Sequence, residues 1–152
     1  MKTKKQILIF ALLMFSLAFS FPKEEMKKKP LKLIFKNLPH ISAPIRIGIF
    51  RRQDSFPDIN SVFRFYGLKP NGNKETSIEI TDLEYGEYVF GCFQDLNSNN
   101  TLETTPEGFP TEPVGLSNNF VITSYAPTFE DCKVNYSKKN SEFVFERYTV
   151  GK

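Results

Sequence analysis

The sequence is short of the side chains that most hydrolytic and metal chemistry needs. His40 is its only histidine, and it follows Pro39 in an expected surface loop. Nucleophilic catalysis requires a nucleophile, a base and an orienting group within reach of one another, and one loop histidine does not supply that set. Only two cysteines are present, Cys92 and Cys132, and no His or Cys cluster has the spacing of a zinc site. No glycine-rich phosphate loop follows a strand. With these sets missing, no enzymatic activity is expected.

A net charge is also lacking once the N-terminus is set aside. Residues 1–20 have a basic start at Lys2, Lys4 and Lys5, an apolar run over 7–19 broken only by Ser16, and small residues at Ala18 and Ser20. That is the pattern of a cleavable secretory signal, cut before Phe21. The run is shorter than the about 20 apolar residues of a membrane span. Cleavage takes the three lysines, so the 20 basic residues fall to 17, equal to the 17 acidic ones. A neutral chain has no basic face for nucleic acid. The expected address is therefore periplasmic or secreted, with no transmembrane segment in the mature chain. Residues 21–30, with the run KEEMKKK over 23–29, read as a flexible charged leader, and 31–150 as a single domain.

Alanine is scarce beyond residue 20, whereas the chain holds 16 Phe and 6 Tyr with many Ile and Val, a composition that favours strands. Residues 31–38 alternate with Leu31, Leu33 and Phe35 on one face, and 45–50 alternate with Ile45, Ile47 and Ile49. Gly48 inside the second run predicts a bulge or a close contact. Residues 61–67 form a third strand with Phe63 and Phe65 on one face; a Pro70-Asn71-Gly72-Asn73 turn leads to a fourth over 76–80. Leu83, Gly86 and Tyr88 suggest a tyrosine corner, in which the hydroxyl bonds back to the chain, feeding a central strand over 88–93. Further strands are expected over 120–123, around Cys132, Val134 and Tyr136, and over 142–148, with a long polar loop at 95–119. The reading is all-β: an antiparallel two-sheet sandwich of seven to eight strands, transthyretin-like or Ig-like. Cys92 and Cys132 are either a disulfide, which an exported chain can keep, or two buried thiols.

The long loop opens with oxygen-bearing side chains at alternate positions, Asp95, Asn97 and Asn99, followed by Thr101 and Glu103. Calcium loops begin this way, because a hard cation wants six to eight oxygens and a tight turn presents every second side chain inward. Asn100 stands where such loops prefer glycine, and the twelfth position is Pro106 rather than an acid, with Glu107 and Glu112 off register. The competing reading is a cluster of Asx turns. Gly115, Ser117, Asn118 and Asn119 either line a binding surface or pin the loop by backbone hydrogen bonds.

The motifs from 83 to 130 in order resemble the bacterial domain-of-unknown-function family number 2141. Its Leu-x-x-Gly-x-Tyr run is matched by Leu83, Gly86 and Tyr88, and its Asp-x-Asn-x-Asn-x-x-Leu-Asp loop by Asp95, Asn97, Asn99 and Leu102, with Glu103 in the last place. Gly108, Phe109, Pro110 and Glu112 match Gly-Ile-Pro-x-Glu; Gly115, Ser117, Asn118 and Asn119 match Gly-x-Ser-Asn-Asn; Pro127, Phe129, Glu130 and Asp131 match Pro-x-Phe-Glu-Asp. The resemblance implies an exported domain of transthyretin-like or prealbumin-like architecture and no activity. The resulting expectation is a non-catalytic envelope module that binds a partner protein, glycan or small ligand, with calcium as the one candidate cofactor. The alternatives are an assembly role without ligand and a hydrolase with an unfamiliar site.

Overall fold

The computed structural model describes residues 28–150, so the proposed signal and most of the leader lie outside the described residues. Eight strands form two sheets: β1 (Leu31–Phe35), β2 (Ile45–Phe50), β3 (Arg64–Leu68), β4 (Thr76–Ile80), β5 (Gly86–Gln94), β6 (Val114–Leu116), β7 (Val134–Tyr136) and β8 (Glu142–Phe145). One sheet runs β4-β1-β8; the other runs β3-β2-β5-β6, with β7 also on β5. No helix among the described residues is long and apolar enough to cross a membrane.

The alternation in β1 and β2 does what its period dictates. Leu31, Leu33 and Phe35 from one sheet meet Ile45, Ile47 and Ile49 from the other in a shared core with Phe90, Tyr136 and Phe145. β5 is buried on both faces: Tyr88, Phe90 and Cys92 point into that core, while Val89 and Phe93 join a second cluster on the sheet's outer face. The tyrosine corner forms as expected. Tyr88 Oη donates to the Glu84 carbonyl at 3.0 Å, and its ring packs over Gly86, where a Cβ would stand 3.4 Å from it.

Several expectations are corrected. β1 and β8 pair in parallel, although every other pairing is antiparallel. No hairpin joins these first and last strands, so nothing forces them to run opposite ways, and Phe35 stacks on Phe145 with centroids 5.0 Å apart. β3 starts at Arg64, and its inward face is Tyr66 and Leu68, opposite Ile47 and Ile45; Phe65 points outward. Residues 120–123 are not a strand, and the strand missed in the polar loop is β6. Cys132 ends a one-turn helix, α1 (Phe129–Cys132), which Thr128 and Asp131 close with a capping box. At the start of the described residues Lys28 pairs with Glu84 at 2.9 Å, and the Lys29 carbonyl accepts from Tyr136 Oη at 2.6 Å.

Both cysteines are buried free thiols, so the disulfide is not formed. Cys92 belongs to the core between the sheets and Cys132 to the outer cluster, so β5 separates them. Burial pushes each thiol up to about 12, which keeps both protonated and unreactive.

Candidate functional site

The outer face of the five-stranded sheet carries a cavity of about 430 Å³. Its origin is local. Gly48 and Gly91 are direct partners across β2 and β5, so the centre of this face has no side chains. Gly48 makes no bulge; its bare Cα admits Phe50 and Val62, whose atoms a Cβ would approach to 3.3 Å. Three segments wall the space: 51–63 supplies Phe56 and Ile59, 102–110 supplies Leu102 and Phe109, and 122–127 supplies Ile122 and Tyr125. Phe50 and Phe56 meet edge to face with centroids 5.0 Å apart. Thr104, Glu107 and Ser124 are the polar residues of the wall. Phe65 at 47% and Tyr125 at 54% exposure stand at the mouth.

The 95–103 loop abuts this wall. Asp95 is completely buried, and Arg46 Nε donates to its Oδ2 at 2.9 Å. The backbone N–H groups of Asn99 and Asn100 donate to Oδ1 and Oδ2 at 3.0 and 3.1 Å. Burial works to raise the Asp95 pKa, but the Arg46 hydrogen bond and these amides hold the carboxyl below the usual range. Asn97 Oδ1 accepts from Asn99 N at 3.1 Å, and Asn99 Oδ1 from Thr101 N at 2.8 Å, so the segment is a chain of Asx turns. Asn100 takes the left-handed conformation with φ 65°, filling the role of the missing glycine. Asn97 Nδ2 donates to Glu103 Oε1 at 2.8 Å and Asn99 Nδ2 to the same oxygen, and these bonds lower the Glu103 pKa.

Glu112 is off register for the loop in the sequence, yet it reaches the loop because residues 103–111 fold back on themselves. Thr104 and Pro110 form an antiparallel bridge, Gly108 turns the chain at φ 88°, and Thr111 N donates to the Glu103 carbonyl at 2.9 Å. This small hairpin delivers Glu112, 3% exposed, to the loop, where its Oε1 accepts from Leu96 N at 2.7 Å. Its Oε2 is buried without a hydrogen-bond partner. Burial, followed by the charges of Glu103 and Asp95 and a carboxyl–carboxyl hydrogen bond with Glu103, raises its pKa. Among the described residues no group of three or more His, Cys, Asp or Glu side chains is placed to hold a metal ion. The only available signal for Glu112 was the Gly108-x-Pro110-x-Glu112 spacing, which places a turn just before it.

The 115–119 segment is engaged by the protein's own backbone. β6 and β7 follow one another along one edge of β5, and Ser117 bridges the break: its Oγ accepts from Phe90 N at 3.1 Å and donates to the Cys132 carbonyl at 2.5 Å. Asn118 Nδ2 donates to the Lys133 carbonyl at 2.9 Å. Asn119 clasps β8, donating to the Val144 carbonyl at 3.1 Å and accepting from Glu146 N at 2.8 Å. Gly115 is required by close approach, since a Cβ there would lie 2.9 Å from Cys92 Sγ. Glu130 faces solvent in an ion-pair group with Arg52 and Lys133, while Asp131 caps α1. His40 contributes only backbone here: its N–H donates to Gln94 Oε1 at 3.0 Å and its carbonyl accepts from Gln94 Nε2.

A family model described as "Uncharacterized protein conserved in bacteria (DUF2141)" matches residues 33–143. No curated protein matches the chain, and no solved structure does.

Proposed function

The chain belongs to the bacterial DUF2141 family, and from that premise we propose that it is an exported, non-catalytic binding module whose outer-sheet cavity takes a small, largely apolar ligand. The observation that carries this reading is the cavity itself. Its about 430 Å³ falls within the roughly 300–1,000 Å³ of small-molecule sites, and its walls are aromatic and aliphatic with few polar groups. Those polar groups, Thr104, Glu107 and Ser124, suit a ligand with one hydrogen-bonding end. The cavity wall also continues into the 95–103 loop, so ligand and loop share one structural unit. Export rests on the basic, apolar and small-residue pattern of residues 1–20.

The test is binding of an environment-sensitive naphthylamine fluorophore. The protein is expected to bind it saturably, and Phe65→Ala and Tyr125→Ala each to weaken binding about tenfold, which corresponds to about 1.4 kcal/mol. Both side chains are at the exposed mouth, so unfolding free energies are expected to change by no more than about 0.5 kcal/mol. Absence of binding, or equal affinity in both variants, would refute the reading.

A further inference from the structure

We infer that the cavity selects a cationic ligand, an amine or quaternary ammonium carried on an apolar body, and that Glu107 sets this preference. The inference rests on the cavity being a ligand site and names the class of ligand. Glu107 is the one charged side chain among the described residues that line the cavity. It is exposed, in the turn of the 103–111 hairpin, where Gly108 N donates to the Thr105 carbonyl at 2.9 Å and Thr105 N to the Phe109 carbonyl at 2.8 Å. Those bonds fix the backbone that presents the carboxylate. The ion pairs of the described residues leave Glu107 out. A carboxylate without a cation, set at an apolar space, attracts positive charge and repels negative.

The charge around it points the same way. Residues 95–131 furnish two of the three walls; they include Asp95, Glu103, Glu107, Glu112, Glu130 and Asp131, and no Lys, Arg or His. The third wall begins with Arg51 and Arg52, but neither lines the cavity and both are engaged: Arg51 by Asp54 and the ring of Phe63, Arg52 by Glu87 and Glu130. Arg46 alternates onto the same face of β2 as Gly48, and Asp95 neutralises it. An anionic amphiphile would therefore meet a like charge at the cavity and no cation to answer its own. The rings supply a second attraction. Phe65 and Tyr125 are exposed at the mouth and Phe109 belongs to the wall, and the face of an aromatic ring draws an ammonium group electrostatically. The apolar body of the ligand then takes the bare floor at Gly48 and Gly91.

The experiment is displacement of the uncharged naphthylamine fluorophore at neutral pH by octylammonium, octanol and octanoate, which share one chain and differ in the charge of the head. It uses protein produced from the full-length sequence, with Glu107→Gln beside it. Octylammonium is expected to displace best, about fivefold ahead of octanol, the size of an exposed charge pair with one ring contact, and octanoate worst. Glu107→Gln is expected to weaken octylammonium about threefold, to leave octanol unchanged and to keep the wild-type melting temperature. Added salt should narrow the gap between octylammonium and octanol. If the fluorophore binds but the three compounds displace it equally, or octanoate leads, the cationic preference is refuted while the cavity reading stands. An ammonium preference undiminished in Glu107→Gln would overturn the assignment to Glu107. No fluorophore binding would refute the cavity reading and this inference with it.

Discussion

Replacing Arg46 by alanine is expected to lower the unfolding free energy by about 3–5 kcal/mol at neutral pH, the cost of leaving one member of a buried pair uncompensated. Asp95 is the reason: it is wholly buried, and Arg46 Nε is its only cationic partner among the described contacts. The sign of the pH dependence follows from the depressed Asp95 pKa. A carboxyl whose folded value lies below its unfolded one contributes stability above the unfolded value and loses it as pH falls through the folded value. The gap between wild type and Arg46→Ala should therefore shrink in acid, where Asp95 can protonate and no longer needs its partner. Urea denaturation at neutral and acid pH reads this directly. A gap that stays constant would assign the loss to the packing of the arginine stem.

The second large effect is expected at Phe145. Its ring is fully buried and stacks on Phe35 where the first and last strands run parallel. Phe145→Ala removes the side chain that locks β8 against β1, and substitutions of this kind cost about 3–5 kcal/mol. Against a total of about 5–15 kcal/mol for a domain, the variant should unfold at markedly lower urea. If the loss were under about 1 kcal/mol, the parallel pairing would not depend on that stack.

Local rules found the two ends of the architecture and its centre. The alternation at Leu31, Leu33 and Phe35 and at Ile45, Ile47 and Ile49 marks the core face because only one register buries all of it. Tyr88 was legible because a tyrosine corner is a short-range motif. What escaped were features set by long-range contacts. β6 is three residues on the edge of β5 and has too little sequence to show a period. Phe63 and Phe65 look alike in the sequence, yet pairing with β2 sends Tyr66 and Leu68 inward and Phe65 out. The cysteines alternate with apolar neighbours, which says buried but not on which side of the sheet.

The site shows the same division. The Asp95, Asn97 and Asn99 turns were readable because each side chain bonds an amide two to five residues on. The contact of Glu112 with the loop was not, because a hairpin brings it back across sixteen residues to Leu96. The cavity was invisible in the sequence: Gly48 and Gly91 lie 43 positions apart and become a bare floor only when β2 and β5 pair.

Amide chemical-shift mapping with the naphthylamine fluorophore tests the central claim most directly. The account predicts saturable shifts centred on Gly48, Phe65, Gly91, Leu102, Phe109 and Tyr125, with the Ser117–Asn119 clasp unmoved. Shifts confined to that clasp or to the β4-β1-β8 sheet, or no shifts at all, would contradict it.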